Sequence, residues 1–249
     1  MTRTSTSAAI GALLLAGLVN TAAIGAGLPP GFVSLFNGKD LSAWKIPKGD
    51  NGHWKIVGGV IDYDAQSEAR GDKHLWTKKS YGDFVLHIDW RIKRTTGLYR
   101  APVVLPSGDD KRDANGKIVY TTFPNADSGI YLRGNSKSQV NIWCWPIGSG
   151  EVYGYRKRTK SAEVRRGVTP KVKADHPVGQ WNTFVITMKG DRLTVVLNGK
   201  TVLKNAQLPG VPRTGPIALQ HHGGLRNGKF VPASSLVQFR NIWIKELKE

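Results

Sequence analysis

Asn125 to Gly154 reads NADSGIYLRGNSKSQVNIWCWPIGSGEVYG, and the alternation inside it decides the fold class. With a period of two, Ile130 and Leu132 fall on one face while Tyr131 and Arg133 fall on the other. After a polar turn, GNSKS, Val140 and Ile142 share one face and Gln139, Asn141 and Trp143 the opposite one. Two adjacent strands would thus present a face of Tyr, Arg, Gln, Asn and Trp. Aromatic platforms with forked donors suit a sugar ring, which has apolar C–H faces and a rim of hydroxyls. Antiparallel sheets often have one merely solvated face. Two exposed indoles, Trp143 and Trp145, would make an unusual apolar patch there, which favours a binding role.

Outward from this stretch the same period recurs. Phe84 to Ile92 puts Phe84, Leu86, Ile88, Trp90 and Ile92 inward and Val85, His87, Asp89 and Arg91 outward. Trp54 to Tyr63 bends at Gly58-Gly59, and Arg192 to Leu203 is a hairpin around Asn198-Gly199. His74 to Thr77 is a short apolar strand, and Ile217 to Gln220 leads into the glycine-rich loop HHGGLRNGK. In Leu236 to Glu246 the apolar frame shifts between Phe239 and Ile242, which predicts a β-bulge at Arg240-Asn241. Helical periodicity is nearly absent. Many short strands at regular spacing predict an all-β domain, a jelly-roll β-sandwich of two antiparallel sheets.

Arg94 to Ala126 is a long loop, of the kind that forms a rim or lid. Its acidic run SGDDKRDANGK does not match a calcium loop, because Lys111 stands where the first acid should be and the later Glu is missing. We read it as a turn reversing at Asn115-Gly116.

The chain opens with one Arg, an apolar core from Ala8 to Val19 and small residues after it, the pattern of a secretory signal peptide. About a dozen apolar residues is short for a membrane span. We expect a leader over residues 1–26 and a single domain over 27–249, exported to the periplasm or the extracellular space. Cys144 is the only cysteine, so no intramolecular disulfide can form. The formal net charge is +18, and loss of the leader removes only Arg3. Much of the excess lies in Tyr155 to His176, YRKRTKSAEVRRGVTPKVKADH. No nucleic-acid-binding signature accompanies it, so no nucleic acid is expected. An anionic envelope or acidic glycan, or plain solvation, accounts for such a loop.

LFNGKDLSAW, YGDFVLHIDWRI, ADSGIYLRG, PVGQWNTFVI, LTVVLNGK, GPIALQHHG and VQFRNIWIKEL follow one another in this order. Over Gly31 to Leu247 the chain resembles the 3-keto-disaccharide hydrolase family, also described as 3-keto-glucoside lyase and hydratase domains. The resemblance implies a concanavalin A-like lectin/glucanase sandwich. Two departures stand out. The family's Glu-Val-Gln-Ile is here Gln139-Val140-Asn141-Ile142, and its Asp-His-Gly is His221-His222-Gly223. Glu151 offers a carboxylate near the one lost at position 139.

The resemblance implies cleavage of 3-keto-glycosides. A ketone at C3 acidifies the C2 hydrogen, a base removes it, and the enolate expels the C1 aglycone. Water then adds, giving net hydrolysis. The chemistry needs a base near C2 and a group stabilising the enolate oxygen. The paired-carboxylate strand of sandwich glucanases, Glu-x-Asp-x-x-Glu, is missing. His222 is the first candidate for base or metal ligand, against a loop-anchoring role. Arg133 is a candidate for the enolate oxygen, against a structural pair with Asp89 or Glu151. Glu151 is a candidate acid or base, against a polar residue in a Gly-rich turn. Asp89, a further catalytic candidate, shares one strand face with Arg91 and His87, which could line the same concavity, against an exposed ion-pair ladder. Tyr131 and Trp143 are candidates to stack on sugar, and Gln139, Asn141 and Gln220 to contact hydroxyls. His with Asp, Glu and Gln can hold a divalent metal, although no metal-spacing motif points to one, and no organic cofactor is expected. The other function class is a non-catalytic, lectin-like glycan-binding module of the cell envelope.

Overall fold

The computed structural model describes residues 28–227, 229–231 and 236–248. The expected leader over 1–26 lies outside the described residues. The strands are β1 (Val33–Ser34), β2 (Trp44–Lys45), β3 (Trp54–Val57), β4 (Val60–Tyr63), β5 (Leu75–Tyr81), β6 (Phe84–Ile92), β7 (Leu98–Pro102), β8 (Tyr120–Pro124), β9 (Asp127–Leu132) and β10 (Asn135–Trp143). Two short helices follow, α1 (Tyr153–Arg158) and α2 (Ala162–Gly167). Then come β11 (Asn182–Lys189), β12 (Arg192–Leu197), β13 (Lys200–Gln207), β14 (Gly215–Leu219), β15 (Gly224–Arg226), β16 (Lys229–Val231) and β17 (Val237–Glu246).

Two antiparallel sheets form a jelly-roll sandwich. The larger runs β13-β12-β11-β6-β17-β4-β3 with β1 also on β17, and the smaller runs β10-β9-β14-β5-β2. The alternating apolar residues of both sheets meet between them. Phe84, Leu86, Ile88 and Trp90 of β6 share one core with Ile130 and Leu132 of β9 and Val140 and Ile142 of β10. What alternates away from this core lies on one of two outer faces, separated by the roughly 10 Å spacing of packed sheets.

The turn chemistry sets the registers. Gly58-Gly59 and Asn198-Gly199 both have positive φ at both positions, as two-residue hairpin turns require. In β17 the register against β6 slips by one residue between Arg240 and Trp243, with Asn241 at φ 49, so the bulge sits where the frame shift predicts. The β9–β10 connection is tighter than the predicted GNSKS turn. Leu132 already pairs with Asn135, and Arg133-Gly134 alone make the bend, at φ 53 and 67.

Two segments expected to be irregular have structure. Residues 94–126 contain the β7–β8 hairpin, whose Ala101 and Phe123 pack on Trp143 and Trp145 in a second apolar cluster. At its tip, Asp113 Oδ1 accepts from the backbone N–H groups of Asn115 and Lys117, which makes the acidic run a turn. The basic stretch forms α1 and α2, the latter capped by Ser161, whose hydroxyl accepts from Val164 N–H at 3.2 Å. Tyr155, Val164 and Val168 dock both helices onto the core. The sequence hides them because each helix is only six residues long.

Candidate active site

The outer face of the smaller sheet follows from its register. Across one row lie Gln139, Tyr131, Ala218, Trp76 and Lys45, each paired with the next. One row further along, Asn141 faces Gly129, and Gln220 donates its backbone N–H to Gly129 O at 2.9 Å. Beyond that Trp143 pairs with Asp127, beside which stands His222. Gly129 is required here. A Cβ at this position would come within 2.4 Å of Gln139 Nε2, so the missing side chain makes room for the glutamine.

A chain of amides orients the floor. Gln139 Nε2 donates to Ser128 O at 3.1 Å and also to Gln220 Oε1. A backbone carbonyl can only accept, so this bond fixes which end of the Gln139 amide points inward. Gln220 must then accept through Oε1, which leaves its amide nitrogen for the Tyr131 hydroxyl, its other partner. Burial, opposed by that hydrogen bond and assisted by the charges of Asp127 and Asp72, pushes the Tyr131 phenol up to about 12. Tyr131 therefore stays protonated at neutral pH, with its own O–H free to donate.

The flank is aromatic and histidine-rich. His74 stands edge-on to Tyr131 with centroids 4.6 Å apart, and Trp76 lies 5.9 Å from the same ring. His221 N–H donates to His74 Nδ1 at 3.0 Å, so the His74 proton resides on Nε2. Burial lowers the His74 pKa and keeps the ring neutral. Trp76 Nε1 donates to Asp72 at 2.7 Å, which holds the indole in place. His222 Nδ1 lies 3.2 Å from Asp127 Oδ2. Burial raises the Asp127 pKa and the nearby His222 opposes that shift. The adjacent His221 takes the other role foreseen for a loop histidine. It is buried edge-on against Tyr63 at 4.8 Å, and burial pushes its pKa down to about 3.

Of the residues proposed from sequence, Tyr131, Gln139, Gln220 and His222 are brought together on this face. Arg133 is not. Its positive φ ends the strand alternation and carries the side chain around the end of the sandwich. There its guanidinium donates to Gly82 O, Gly190 O, Pro212 O and Asp83, with no exposed side-chain surface. Glu151 is fully buried against Arg156, which also holds Gly108 O and Asp110. Burial outweighs that partner and pushes the Glu151 pKa up to about 7.

Asp89 and Arg91 belong to the outer face of the other sheet, with the whole core between them and Tyr131. Asp89 accepts from Thr183 Oγ1 at 2.7 Å and Asn241 Nδ2 at 2.8 Å, while Arg91 binds Gln238 and lies over Trp181. His87, on the same outer face, stacks on Trp243. Trp143 is no exposed platform. It stacks on Trp145 at 4.1 Å and donates Nε1–H to Gly148 O, both indoles being covered by the β7–β8 hairpin. Asn141 shares the face and, like Tyr131, is buried, and its Oδ1 has no hydrogen-bond partner among the described residues. Among the described residues no three His, Cys, Asp or Glu side chains converge as a metal would need.

Sequence reasoning missed His74, Trp76, Asp72 and Asp127. The signal was present in part. Period two places His74 and Trp76 opposite Leu75 and Thr77, and Asp127 in phase with Gly129 and Tyr131. What alternation cannot supply is strand order, and only the β9-β14-β5 adjacency puts these residues on one face.

Residues 31–245 match the model of a family described as the 3-keto-alpha-glucoside-1,2-lyase-like domain. No curated protein matches the chain. Among solved structures, a protein of Parabacteroides distasonis ATCC 8503 provisionally named a glycosyl hydrolase is 25% identical, with a TM-score of 0.58 over 88% of this chain and 85% of that one. A second protein of that organism, named in the same way, is 19% identical, with a TM-score of 0.54 over 88% and 95% of the two chains, and bears on the fold alone.

Proposed function

This chain belongs to the 3-keto-alpha-glucoside-1,2-lyase-like domain family, and from that membership we propose that it cleaves 3-keto-glycosides on the outer face of the smaller sheet. The observation that carries the reading is the His222–Asp127 pair at 3.2 Å, on the same sheet face as a protonated Tyr131 bonded to Gln220, which Gln139 holds in turn. With Nδ1 3.2 Å from the Asp127 carboxylate, His222 has Nε2 left to act as the base, and Asp127 stabilises the imidazolium that forms.

In the reaction the C2–H bond breaks and its proton passes to His222 Nε2. The electron pair becomes an enolate whose C3 oxygen accepts from the Tyr131 O–H. Collapse of the enolate breaks the C1–O bond, and the aglycone leaves as an alcohol by taking the proton carried on His222 Nε2, which restores the base. Water adding across the resulting double bond completes a net hydrolysis. Trp76 offers an indole face to the ring, and the neutral His74 offers its Nε2–H to a sugar oxygen. This differs from the two-carboxylate glycosidases in needing one base and one donor. Residue 139 being Gln, not Glu, fits that assignment, since its amide orients Gln220.

The test is turnover of 3-keto-sucrose and 3-keto-trehalose by purified protein, with and without EDTA. Loss of activity in His222→Ala with wild-type unfolding behaviour supports the reading. Failure to turn over a varied 3-keto-glycoside panel, together with tight binding of ordinary glycans, sinks it in favour of the lectin-like alternative. Export by the leader belongs to the same proposal. N-terminal sequencing of the protein from the envelope fraction tests it, and an intact residue 1 there contradicts it.

A further inference from the structure

A cavity that the reaction described does not use shares one residue, Trp143, with this sheet face. It has a volume of about 340 Å³ and opens at the end of the sandwich. Trp90 and Ile92 of β6, Pro124, Trp143, Pro177 and Val178 make its apolar walls. Its polar residues are spoken for. Asp175 accepts from Ser149 N–H, Asn182 Oδ1 accepts from His176 N–H at 2.8 Å, and His176 Nδ1 is turned to Trp181 O at 2.8 Å. Cys144 also lines it as a free thiol that burial pushes up to about 11, so apart from this protonated thiol and the exposed Lys173 the free chemistry of the cavity is apolar and aromatic.

Its wall also joins it to the site. Trp143 is the cross-strand partner of Asp127, and paired residues of an antiparallel ladder project to the same side. His222, Asp127 and Trp143 thus lie in sequence across the sheet, with the base on one side of Asp127 and the cavity wall on the other. A sugar whose C2 hydrogen faces His222 carries its C1 substituent on the adjacent carbon, within reach of that wall. Ligand pockets begin at roughly 300 Å³. A cavity of about 150 Å³ holds one benzene ring, so this one has room for two fused rings.

We propose that this cavity is the aglycone subsite, and that the preferred substrates are 3-keto-glycosides of aromatic alcohols, with one or two rings seated against Pro177 and Val178 over the buried edges of Trp90 and Trp143. The proposal rests on the reading of the sheet face as the sugar site. The experiment compares kcat/KM for the 2-naphthyl and methyl 3-keto-glucosides in wild type and in Val178→Trp, where the added indole fills the cavity from a position 46% exposed. The wild type is expected to favour the naphthyl substrate by at least about tenfold, and the variant to bring that ratio close to one. Equal rates on both substrates, or a preference that persists in Val178→Trp, overturns the subsite. If neither glycoside turns over, the activity reading has failed separately, and saturation binding of 2-naphthol followed by tryptophan fluorescence decides. Binding weakened at least about tenfold in the variant supports the aromatic site, and absence of saturable binding overturns it.

Discussion

Replacing Arg133 by Met separates a structural arginine from a catalytic one. The wild-type guanidinium makes four hydrogen bonds at 2.6–3.1 Å, to three turn carbonyls and the Asp83 carboxylate, and its side chain has no exposed surface. Those carbonyls come from the bend after β5, the bend after β11 and the approach to β14, so one side chain ties three turns at one end of the sandwich. Methionine keeps the aliphatic stem and deletes every donor. Breaking a buried ion pair from one side costs about 3–5 kcal/mol. Asp83 is 27% exposed and regains water, which places the loss near the lower end, at roughly 3 kcal/mol. For a domain of this size that lowers Tm by about 6–12 °C. Urea unfolding and calorimetry measure the stability, and kcat/KM per folded molecule measures the chemistry. The expected result is a less stable protein with kcat/KM within about twofold of wild type. A variant as stable as wild type but inactive would refute the reasoning and return Arg133 to the reaction.

Trp143→Ala removes half of a buried indole stack and should destabilise by about 3–5 kcal/mol, with the 94–126 flap becoming the first site of limited proteolysis. Trp76→Ala, on the open face, should raise KM while unfolding shifts by less than about 1 kcal/mol. Gly129→Ala forces a methyl group to within 2.4 Å of Gln139 Nε2 and should cost about 1–3 kcal/mol of stability. It should also lower kcat through the displaced Gln139–Gln220–Tyr131 chain, read as a kcat loss larger than the KM change. His221 has a folded pKa near 3, against an ordinary 6.5, so the unfolded chain binds the extra proton between these values. Its contribution to stability is complete above pH 6.5 and is lost as pH falls toward 3. Between pH 7 and 4.5 that amounts to on the order of 2 kcal/mol. His221→Phe should flatten this part of the stability–pH curve measured by urea unfolding, and an unchanged slope would show that His221 does not titrate there.

The sandwich was legible because its core alternates strictly. Phe84 to Ile92, Ile130 to Leu132 and Val140 to Ile142 put their apolar residues inward as period two requires, and the bulge at Arg240-Asn241 announced itself as a frame shift. The failures have separate physical causes. Alternation gives a face but not which sheet bears it, so Asp89 and Arg91 were set beside Tyr131 although the core divides them. Arg133 followed the strand phase one residue too far, since a positive φ redirects a side chain whatever its parity. Trp143 looked exposed because nothing local reveals that the β7–β8 hairpin folds back over it. Glu151 lay near the right strand, yet its partner Arg156 sits in a helix that the charge pattern disguises as a solvated loop. The placement of His222 on this face was legible through its phase with Gln220. Its partner Asp127 was not, because their pairing depends on β14 lying beside β9.

The central claim is that His222, backed by Asp127, removes the C2 proton of a 3-keto sugar. Proton NMR of methyl 3-keto-α-glucoside in D2O measures that step directly, as deuterium entering C2 of unreacted substrate or as its loss on the way to product. The account predicts C2 exchange or cleavage catalysed by the wild type, slowed by at least about a hundredfold in His222→Ala, with the folded fraction of the variant unchanged. Wild-type rates in His222→Ala, or cleavage that keeps the original C2 hydrogen, would contradict it.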